Sequence, residues 1–240
     1  MTYVISDIHG HYSRYQAMLK QIRFGNEDML YVLGDMIDRG PDGVKVLLDL
    51  MARPNVTPIL GNHELTAAVC LPWLMKEITD ESIAALEAAE LGALSEWMVN
   101  GGSATLRDLR RLSQEDRRAI LEYIREMDLY AEADTDENSF VLVHAGLAGF
   151  EPGRALEDYG LEDFVLARPD LDGPCFPDRY LVFGHTPTRS LGSGADVIVR
   201  KGKQIAIDCG CGFGGRLGCL CLETMEEFYV DCRKERKWFF

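Results

Sequence analysis

The sequence predicts an α/β fold, because short apolar runs typical of buried strands alternate with segments whose apolar residues recur at helical spacing. Tyr3–Ile5 and Met29–Leu33 are two such runs, and residues 12–24 between them carry a helical pattern. Nearly every run stops at an Asp, Asn or His residue. Since α/β proteins place their chemistry at the carboxyl ends of strands, we expect a functional site there.

The remaining elements follow the same alternation. A second helix is expected after Pro41 and before Pro54, and a short helical turn over Leu161–Leu166. Five further strands are expected from the apolar runs Val56–Leu60, Leu129–Ala133, Phe140–Val143, Tyr180–Phe183 and Ile205–Ile207. With 240 residues, 47% of them apolar, we expect a single domain over residues 1–240.

Residues 65–129 differ from the rest of the chain and are interpreted as a helical insertion or cap. They lack strand-like runs and are rich in good helix formers. Ser113 to Asp116 has the pattern of a capping box at the start of one helix. Gly101 and Gly102 interrupt the helical pattern and indicate a tight turn or a close approach of the backbone to another group.

Composition limits the partners and the compartment. The formal net charge of −14 argues against binding to a nucleic acid polymer or to a membrane surface, since both are polyanionic. Seven unevenly spaced cysteines suit a reducing compartment better than a disulfide framework. Asp7 leaves no room for a signal peptide, and no apolar run reaches the length of a membrane span, so we expect a cytoplasmic protein.

Polar residues at the strand ends form a candidate metal site. A single D-x-H pair or a single buried histidine is more often structural, but five strand ends carry such residues. Mixed His, Asp and Asn ligation suits Mn, Fe, Zn, Ni or Co, and the ligands are too many for one ion. We therefore predict a two-metal site from Asp7, His9, Asp35, Asn62, His144 and His185.

The loop from Gly34 to Gly40 carries two carboxylates and a guanidinium within five positions, at Asp35, Asp38 and Arg39. On its own it could be a solvated turn. Together with Asp7-Ile8-His9-Gly10, Gly61-Asn62-His63-Glu64, His144-Ala145-Gly146 and Gly184-His185-Thr186, it resembles the calcineurin-like metallophosphoesterases. The chain is most similar to the bacterial serine/threonine phosphoprotein phosphatases, a family that also contains the symmetrical diadenosine tetraphosphate hydrolases.

This resemblance implies a β-sandwich flanked by helices and a role for each motif residue. It places Asp7, His9 and Asp35 on one metal ion and Asp35, Asn62, His144 and His185 on the other, with Asp35 as the bridge. His63 corresponds to the general acid and Asp38 to the carboxylate that orients it. Arg39 and Arg168 correspond to phosphate-binding residues, although the sequence around Arg168 lacks the tryptophan often found there.

The function expected from these residues is hydrolysis of a phosphoester by water that two metal ions activate, manganese being the first expectation. The expected substrate is phosphoserine or phosphothreonine in a protein, with phosphotyrosine and small phosphoesters as further substrates. Hydrolysis of diadenosine tetraphosphate is the enzymatic alternative, and an inactive metal-binding scaffold is the non-enzymatic one. The role of Asp208 stays open. The cysteines at 209, 211, 219 and 221 could either form a zinc site or pack in a buried core.

Overall fold

The computed structural model describes residues 1–75, 88–192 and 194–232. The strands in these residues form two five-stranded sheets, ordered β10-β9-β1-β2-β3 and β4-β5-β6-β8-β7. The strands are β1 (Thr2–Ile5), β2 (Met29–Leu33), β3 (Val56–Ile59), β4 (Tyr130–Asp134), β5 (Ser139–Val143), β6 (Tyr180–Phe183), β7 (Val199–Lys201), β8 (Gln204–Ala206), β9 (Arg216–Cys221) and β10 (Glu227–Asp231).

Each sheet has a parallel centre and antiparallel edges. In the first sheet β1 pairs in parallel with β2, and β2 with β3, while β9 and β10 are antiparallel. In the second sheet β5, β6 and β8 run parallel, while β4 and β7 are antiparallel. The carboxyl ends of six strands consequently lie along two sheet edges, three on each sheet.

The helices cover the outer faces of the sheets. They are α1 (Tyr12–Gln21), α2 (Gly43–Met51), α3 (Asn62–Leu74), α4 (Ala88–Trp97), α5 (Ser103–Leu109), α6 (Gln114–Arg125) and α7 (Leu161–Val165). A π-helical turn, Met98–Gly102, joins α4 to α5, and 3-10 turns occur at Leu156–Asp158, Thr188–Ser190 and Cys211–Phe213. In the described residues no helix combines the length and the apolar character that a membrane span requires.

Three apolar clusters fill the spaces between the sheets and helices. The side chains of β5 contribute to two of them, because they alternate between the two faces of the sheet. Phe140 and Leu142 pack between the two sheets with residues of β1, β2 and β3. Val141 and Val143 pack on the other face, with Phe164 of α7. The third cluster joins the first sheet to α1, α2, α3 and α6. The result is a β-sandwich flanked by helices, which confirms the predicted fold class.

The element boundaries differ from the predictions in ways that have local causes. α1 ends at Gln21 because Arg23 adopts a left-handed backbone, with φ of 54°, as in a helix C-cap. α6 begins after Ser113, whose Oγ accepts from the Asp116 backbone N–H at 3.0 Å, as the capping pattern predicted. α3 begins at Asn62, three residues before the predicted insertion. Residues 76–87 of that insertion lie outside the described residues, and the single-domain organisation stays a prediction.

Candidate metal centre and active site

The two sheets meet at the edge formed by their parallel strand ends. Asp7 and Asp35 follow β1 and β2, and His144 and His185 follow β5 and β6. His144 Nδ1 lies 2.8 Å from the carbonyl oxygen of Leu33, the last residue of β2, so this histidine links the edges directly. A Cβ at Gly34 would lie 2.5 Å from the same nitrogen, and only glycine permits this approach.

The backbone around the site is strained. Eight non-glycine residues in the described part of the chain have φ between 46° and 67°, and six of them lie at this edge: Asp7, His9, Asp35, Asp38, Arg39 and His185. Each such residue costs about 1–3 kcal/mol and persists where its surroundings enforce it. The orientation of these side chains therefore lowers the stability of the folded chain.

Two groups of potential ligands share the carboxylate of Asp35. In one, Asp35 Oδ2 lies 3.6 Å from His9 Nε2 and 3.8 Å from His63 Nε2. In the other, Asp35 Oδ1 lies 3.4 Å from His144 Nε2, with His185 alongside. In each group the ligand atoms lie within 4.8 Å of one another. The two oxygens of Asp35 thus face different groups, an arrangement in which this carboxylate could bridge two metal ions.

Backbone carbonyls orient the imidazoles. His144 Nδ1 donates to Leu33 O, and His9 Nδ1 lies 3.0 Å from the carbonyl oxygen of Ile37 in the same arrangement. Nε2 of each ring is then turned into the site, as in many metal-binding histidines. Burial lowers the pKa of His9 and His144, and it lowers the pKa of His185 to about 3. Burial thus favours the neutral form of all three rings, which is the form that binds a metal ion.

The contacts between these groups fit bound cations. Because His144 carries its proton on Nδ1, its Nε2 has a free lone pair. This nitrogen lies 3.0 Å from Asn62 Oδ1, which is also an acceptor. His185 Nδ1 lies 2.9 Å from the same oxygen, and His185 Nε2 is buried with no hydrogen-bond partner. Imidazole nitrogens and an amide oxygen that converge in a buried site can be satisfied by a cation between them. The donor set is therefore suited to a metal ion.

Three buried carboxylates strengthen this requirement. Burial, together with the charges of Asp208 and Asp35, raises the pKa of Asp7 well above its ordinary value. Burial likewise raises the pKa of Asp208 to about 7. Burial opposes ionisation of Asp35, but its pKa is lowered because the charge that the surrounding histidines carry when protonated outweighs this effect. Dications would relieve the repulsion among these carboxylates.

Asp7 lies somewhat apart from the group to which it was assigned. Its Oδ2 accepts from the backbone N–H of His185 at 2.9 Å and from the hydroxyl of Ser6. Its Oδ1 is 3.9 Å from His9 Nε2. The compact group of three on this side consequently contains His63 where the sequence predicted Asp7.

His63 and Asp38 form a buried pair in the first turn of α3 and the loop after β2. His63 Nδ1 donates to Asp38 Oδ2 at 2.7 Å, which directs Nε2 towards the two ligand groups. Burial opposes the charge on His63, but the carboxylates of Asp35 and Asp38 outweigh it and raise the pKa of this imidazole. A histidine whose pKa lies above the usual 6.5 can hold a proton at neutral pH.

The two arginines flank the site on opposite sides. Arg39 Nη1 lies 2.6 Å from His9 Nε2, and its Nη2 lies 3.1 Å from His63 Nε2. The Arg39 guanidinium also lies 4.4 Å from the ring centroid of Phe213, which is 57% exposed. Arg168 is exposed, and its Nη1 lies 3.3 Å from Thr186 Oγ1, next to His185. A cationic side chain therefore lies beside each of the two ligand groups.

Two further buried carboxylates lie near the site: Glu64, which was not predicted as part of it, and Asp208, whose role the sequence left open. Glu64 is fully buried, and its carboxylate accepts from the backbone N–H groups of Asp35, Met36 and Ile37 at 2.8–3.1 Å. Burial and the Asp35 charge raise the pKa of Glu64 to about 8. Its position directly after His63 was the available signal. Asp208 accepts from the backbone N–H of Gly210 at 2.8 Å, as a residue behind the ligands would.

The C-terminal cysteines lie in the core. Cys219 and Cys221 alternate along β9, and both are buried in the cluster between the first sheet and its helices. Cys209 is buried between the sheets. In the part of the chain that the structure describes, neither group of potential metal ligands contains a cysteine. These observations favour the core interpretation over the zinc site.

Comparison with known proteins identifies the family. Residues 2–189 match the family described as calcineurin-like phosphoesterase, and the chain belongs to this family. It is a phosphoric ester hydrolase of the metallophosphoesterase type, whose members use a dinuclear divalent metal site.

Individual relatives divide between two activities. The chain is 27% identical to a symmetrical bis(5'-nucleosyl)-tetraphosphatase of Erwinia tasmaniensis, over 98% of this chain and 99% of the relative. It is 29% identical to serine/threonine-protein phosphatase 2 of Escherichia coli, over 90% and 89% of the two chains. The crystal structure of a provisionally assigned diadenosine tetraphosphatase superimposes with a TM-score of 0.66 at 18% identity, covering 96% and 92%, which supports the fold.

Proposed function

We propose that the chain binds two divalent metal ions through the residues that the sequence singled out. Asp7, His9 and Asp35 would hold one ion, and Asp35, Asn62, His144 and His185 the other. The observation that carries this assignment is the placement of the two Asp35 oxygens, 3.6 Å from His9 Nε2 and 3.4 Å from His144 Nε2. When bound, the ions supply Lewis acidity and lower the pKa of water towards neutrality. Manganese is our first choice, with Fe, Zn, Ni and Co as the other ions that this donor set suits.

The remaining side chains bind the phosphoryl group and move a proton. Arg39 and Arg168 carry the positive charge that an acidic protein needs in order to bind an anionic phosphate, and their guanidinium groups donate to its oxygens. Asp38 fixes the His63 ring through Nδ1, and His63 would give a proton from Nε2 to the departing oxygen once Arg39, whose Nη2 lies 3.1 Å from that nitrogen, has turned to the phosphate. Among the described residues the serine beside these ligands is Ser6, which is buried and donates its hydroxyl to Asp7 and to the Leu33 carbonyl oxygen, so direct attack by water is the expected route.

We further infer that the physiological substrate is a dinucleoside tetraphosphate cleaved symmetrically. The likeness to the symmetrical tetraphosphatase of Erwinia tasmaniensis extends over nearly the full length of both chains. The site adds a matching feature, since Phe213 presents an exposed ring beside Arg39. An aromatic ring at the rim can stack on a nucleobase while the adjacent guanidinium binds the phosphate chain. This order reverses the sequence-based one, which placed phosphoproteins first.

Hydrolysis of phosphoserine or phosphothreonine is the second candidate. It is supported by the likeness to the Escherichia coli phosphatase over 90% of this chain. The raised pKa of His63 also suits an alkoxide leaving group, which departs with a proton more readily than without one. The two candidates share the metal-binding residues and differ in what lies beyond the phosphate.

A paired assay distinguishes the candidates. Metal-stripped protein reloaded with Mn²⁺ is given diadenosine tetraphosphate or a phosphothreonine peptide, and the products are separated by anion exchange. We expect the dinucleotide to be preferred and ADP to be its sole nucleotide product. Formation of AMP with ATP would contradict symmetrical cleavage, and preference for the peptide would favour the second candidate.

Replacing Phe213 tests the structural part of the substrate proposal. Phe213→Leu retains an apolar side chain but loses the stacking surface, so KM for the dinucleotide should rise about tenfold. KM for the phosphothreonine peptide should stay at the wild-type value. Val99→Ala, at a side chain that is 84% exposed in the insertion, serves as the matched control and should change neither. Equal KM values for Phe213→Leu and the wild type would contradict stacking at this position.

A further inference from the structure

Asp38 receives three side-chain hydrogen bonds, of which the sequence indicated one. Besides His63, its Oδ2 accepts from Trp97 Nε1 at 2.9 Å. Its Oδ1 accepts from Thr105 Oγ1 at 2.5 Å. Trp97 and Thr105 are 1% and 2% exposed, and both belong to the helical insertion. The carboxylate behind the proposed general acid is therefore fixed by residues from a different part of the chain.

The three donors determine the orientation of the carboxylate completely. One oxygen is held by His63 and Trp97, and the other by Thr105. Thr105 Oγ1 also accepts from the backbone N–H of Asp38 at 3.0 Å, so the same hydroxyl contacts both the backbone and the side chain of Asp38. Turning the carboxylate away from these donors would break hydrogen bonds among fully buried groups, where an unpaired polar group is costly.

The backbone between Trp97 and Thr105 packs closely against the loop that contains Asp38 and Arg39. Gly101 O accepts from the backbone N–H of Arg39 at 3.1 Å. Gly101 has a φ of 104°, and a Cβ on it would lie 2.8 Å from the Arg39 nitrogen. A Cβ on Gly102 would lie 2.6 Å from the Trp97 ring. The close approach that the two glycines predicted is thus an approach to Arg39 on one side and to Trp97 on the other.

We propose that Trp97 and Thr105 are positioning residues for the general acid. They act through Asp38, whose orientation sets the direction in which His63 presents its proton. Without the indole N–H and the threonine hydroxyl, Asp38 can turn and His63 Nε2 loses its alignment with the departing oxygen. The inference rests on the proposed role of His63, and it makes the insertion a part of the catalytic apparatus rather than only a cover.

The test measures how turnover depends on the leaving group. Purified Mn²⁺-loaded wild type, Trp97→Phe, Thr105→Val, Thr105→Ser and His63→Asn are assayed with aryl phosphates of increasing leaving-group pKa and with a phosphothreonine peptide. A misaligned acid slows esters whose leaving oxygen needs a proton and spares those that depart readily as anions. Trp73→Phe, a tryptophan of α3 packed against the same apolar cluster, is the matched control.

We expect Trp97→Phe and Thr105→Val to lower kcat on the peptide about tenfold, which corresponds to about 1.4 kcal/mol. We expect kcat on the most activated aryl ester to stay near that of the wild type. Thr105→Ser retains the hydroxyl and should restore the wild-type dependence. If Trp97→Phe fails to fold, as seen by circular dichroism, the threonine pair carries the test alone. A uniform loss of kcat on all esters would mean a structural role and would overturn the proposal. A wild-type dependence in His63→Asn would overturn the acid assignment, and the positioning inference with it.

Discussion

The strand edge and the helical insertion contribute to the site in different ways. The edge supplies six potential metal ligands from loops that follow parallel strands, and the pairing of those strands sets their separation. The insertion supplies Trp97 and Thr105, which contact Asp38 across 59 and 67 residues of chain. In the proposed function, the edge therefore defines where the metal ions and the phosphate bind. The insertion controls the orientation of one residue that acts on them.

The largest effect is expected at the residue shared by both ligand groups. Asp35→Asn replaces a carboxylate by a neutral amide with one acceptor oxygen, so it cannot serve both groups. We expect turnover to fall at least about 10³-fold and the metal content, measured by mass spectrometry, to fall below two ions per chain. Asp208→Asn changes a buried carboxylate of the same edge and should retain two ions. Full occupancy in Asp35→Asn would contradict the bridging assignment.

His63→Asn separates proton transfer from metal binding. The asparagine amide is not acidic enough to transfer a proton to the leaving group, so turnover should fall by roughly 10²–10⁴-fold. The metal content should stay at two ions per chain, because His63 is assigned to neither ion. Loss of metal along with activity would show that the edge and the proton donor cannot be separated, and it would favour the grouping of His63 with His9 and Asp35.

Glu64→Gln tests whether the Glu64 side chain stabilises the loop that begins at Asp35. The carboxylate accepts from three backbone N–H groups, whereas an amide has one acceptor oxygen and turns an N–H₂ group towards those donors. Because burial raises the pKa of Glu64 to about 8, relief of the buried charge offsets part of this loss, and we expect the free energy of unfolding of the metal-free protein, measured in urea, to fall by about 1 kcal/mol. Glu122→Gln, on the exposed face of α6, should leave it unchanged. Similar midpoints for both variants would contradict this role.

The difference between the two regions also explains what the sequence could and could not predict. His144 and Asp35 stand out because each interrupts an apolar run, and parallel pairing is enough to bring such positions together. Trp97 carries no such signal, since a tryptophan within a helical pattern reads as core, and its contact with Asp38 depends on how the insertion folds back. Phe213 gives no signal either, because an exposed aromatic in a glycine-rich loop becomes meaningful only beside Arg39.

Small effects are also expected within the insertion, where two glycines should respond with opposite signs. Gly92 lies in α4 with no atom within 4 Å of an added Cβ, so Gly92→Ala should raise the free energy of unfolding by about 0.5–1 kcal/mol through helix propensity. Gly101→Ala places a Cβ against Arg39 at a φ of 104°, and should lower it by about 1–3 kcal/mol. Both values come from urea unfolding of the metal-free protein. If the insertion is seated on the Arg39 loop as described, Gly101→Ala should also slow the phosphothreonine peptide more than an activated aryl ester, whereas Gly92→Ala should change neither. Equal behaviour of the two variants would separate the insertion from the acid and leave the strand edge as the whole of the active site.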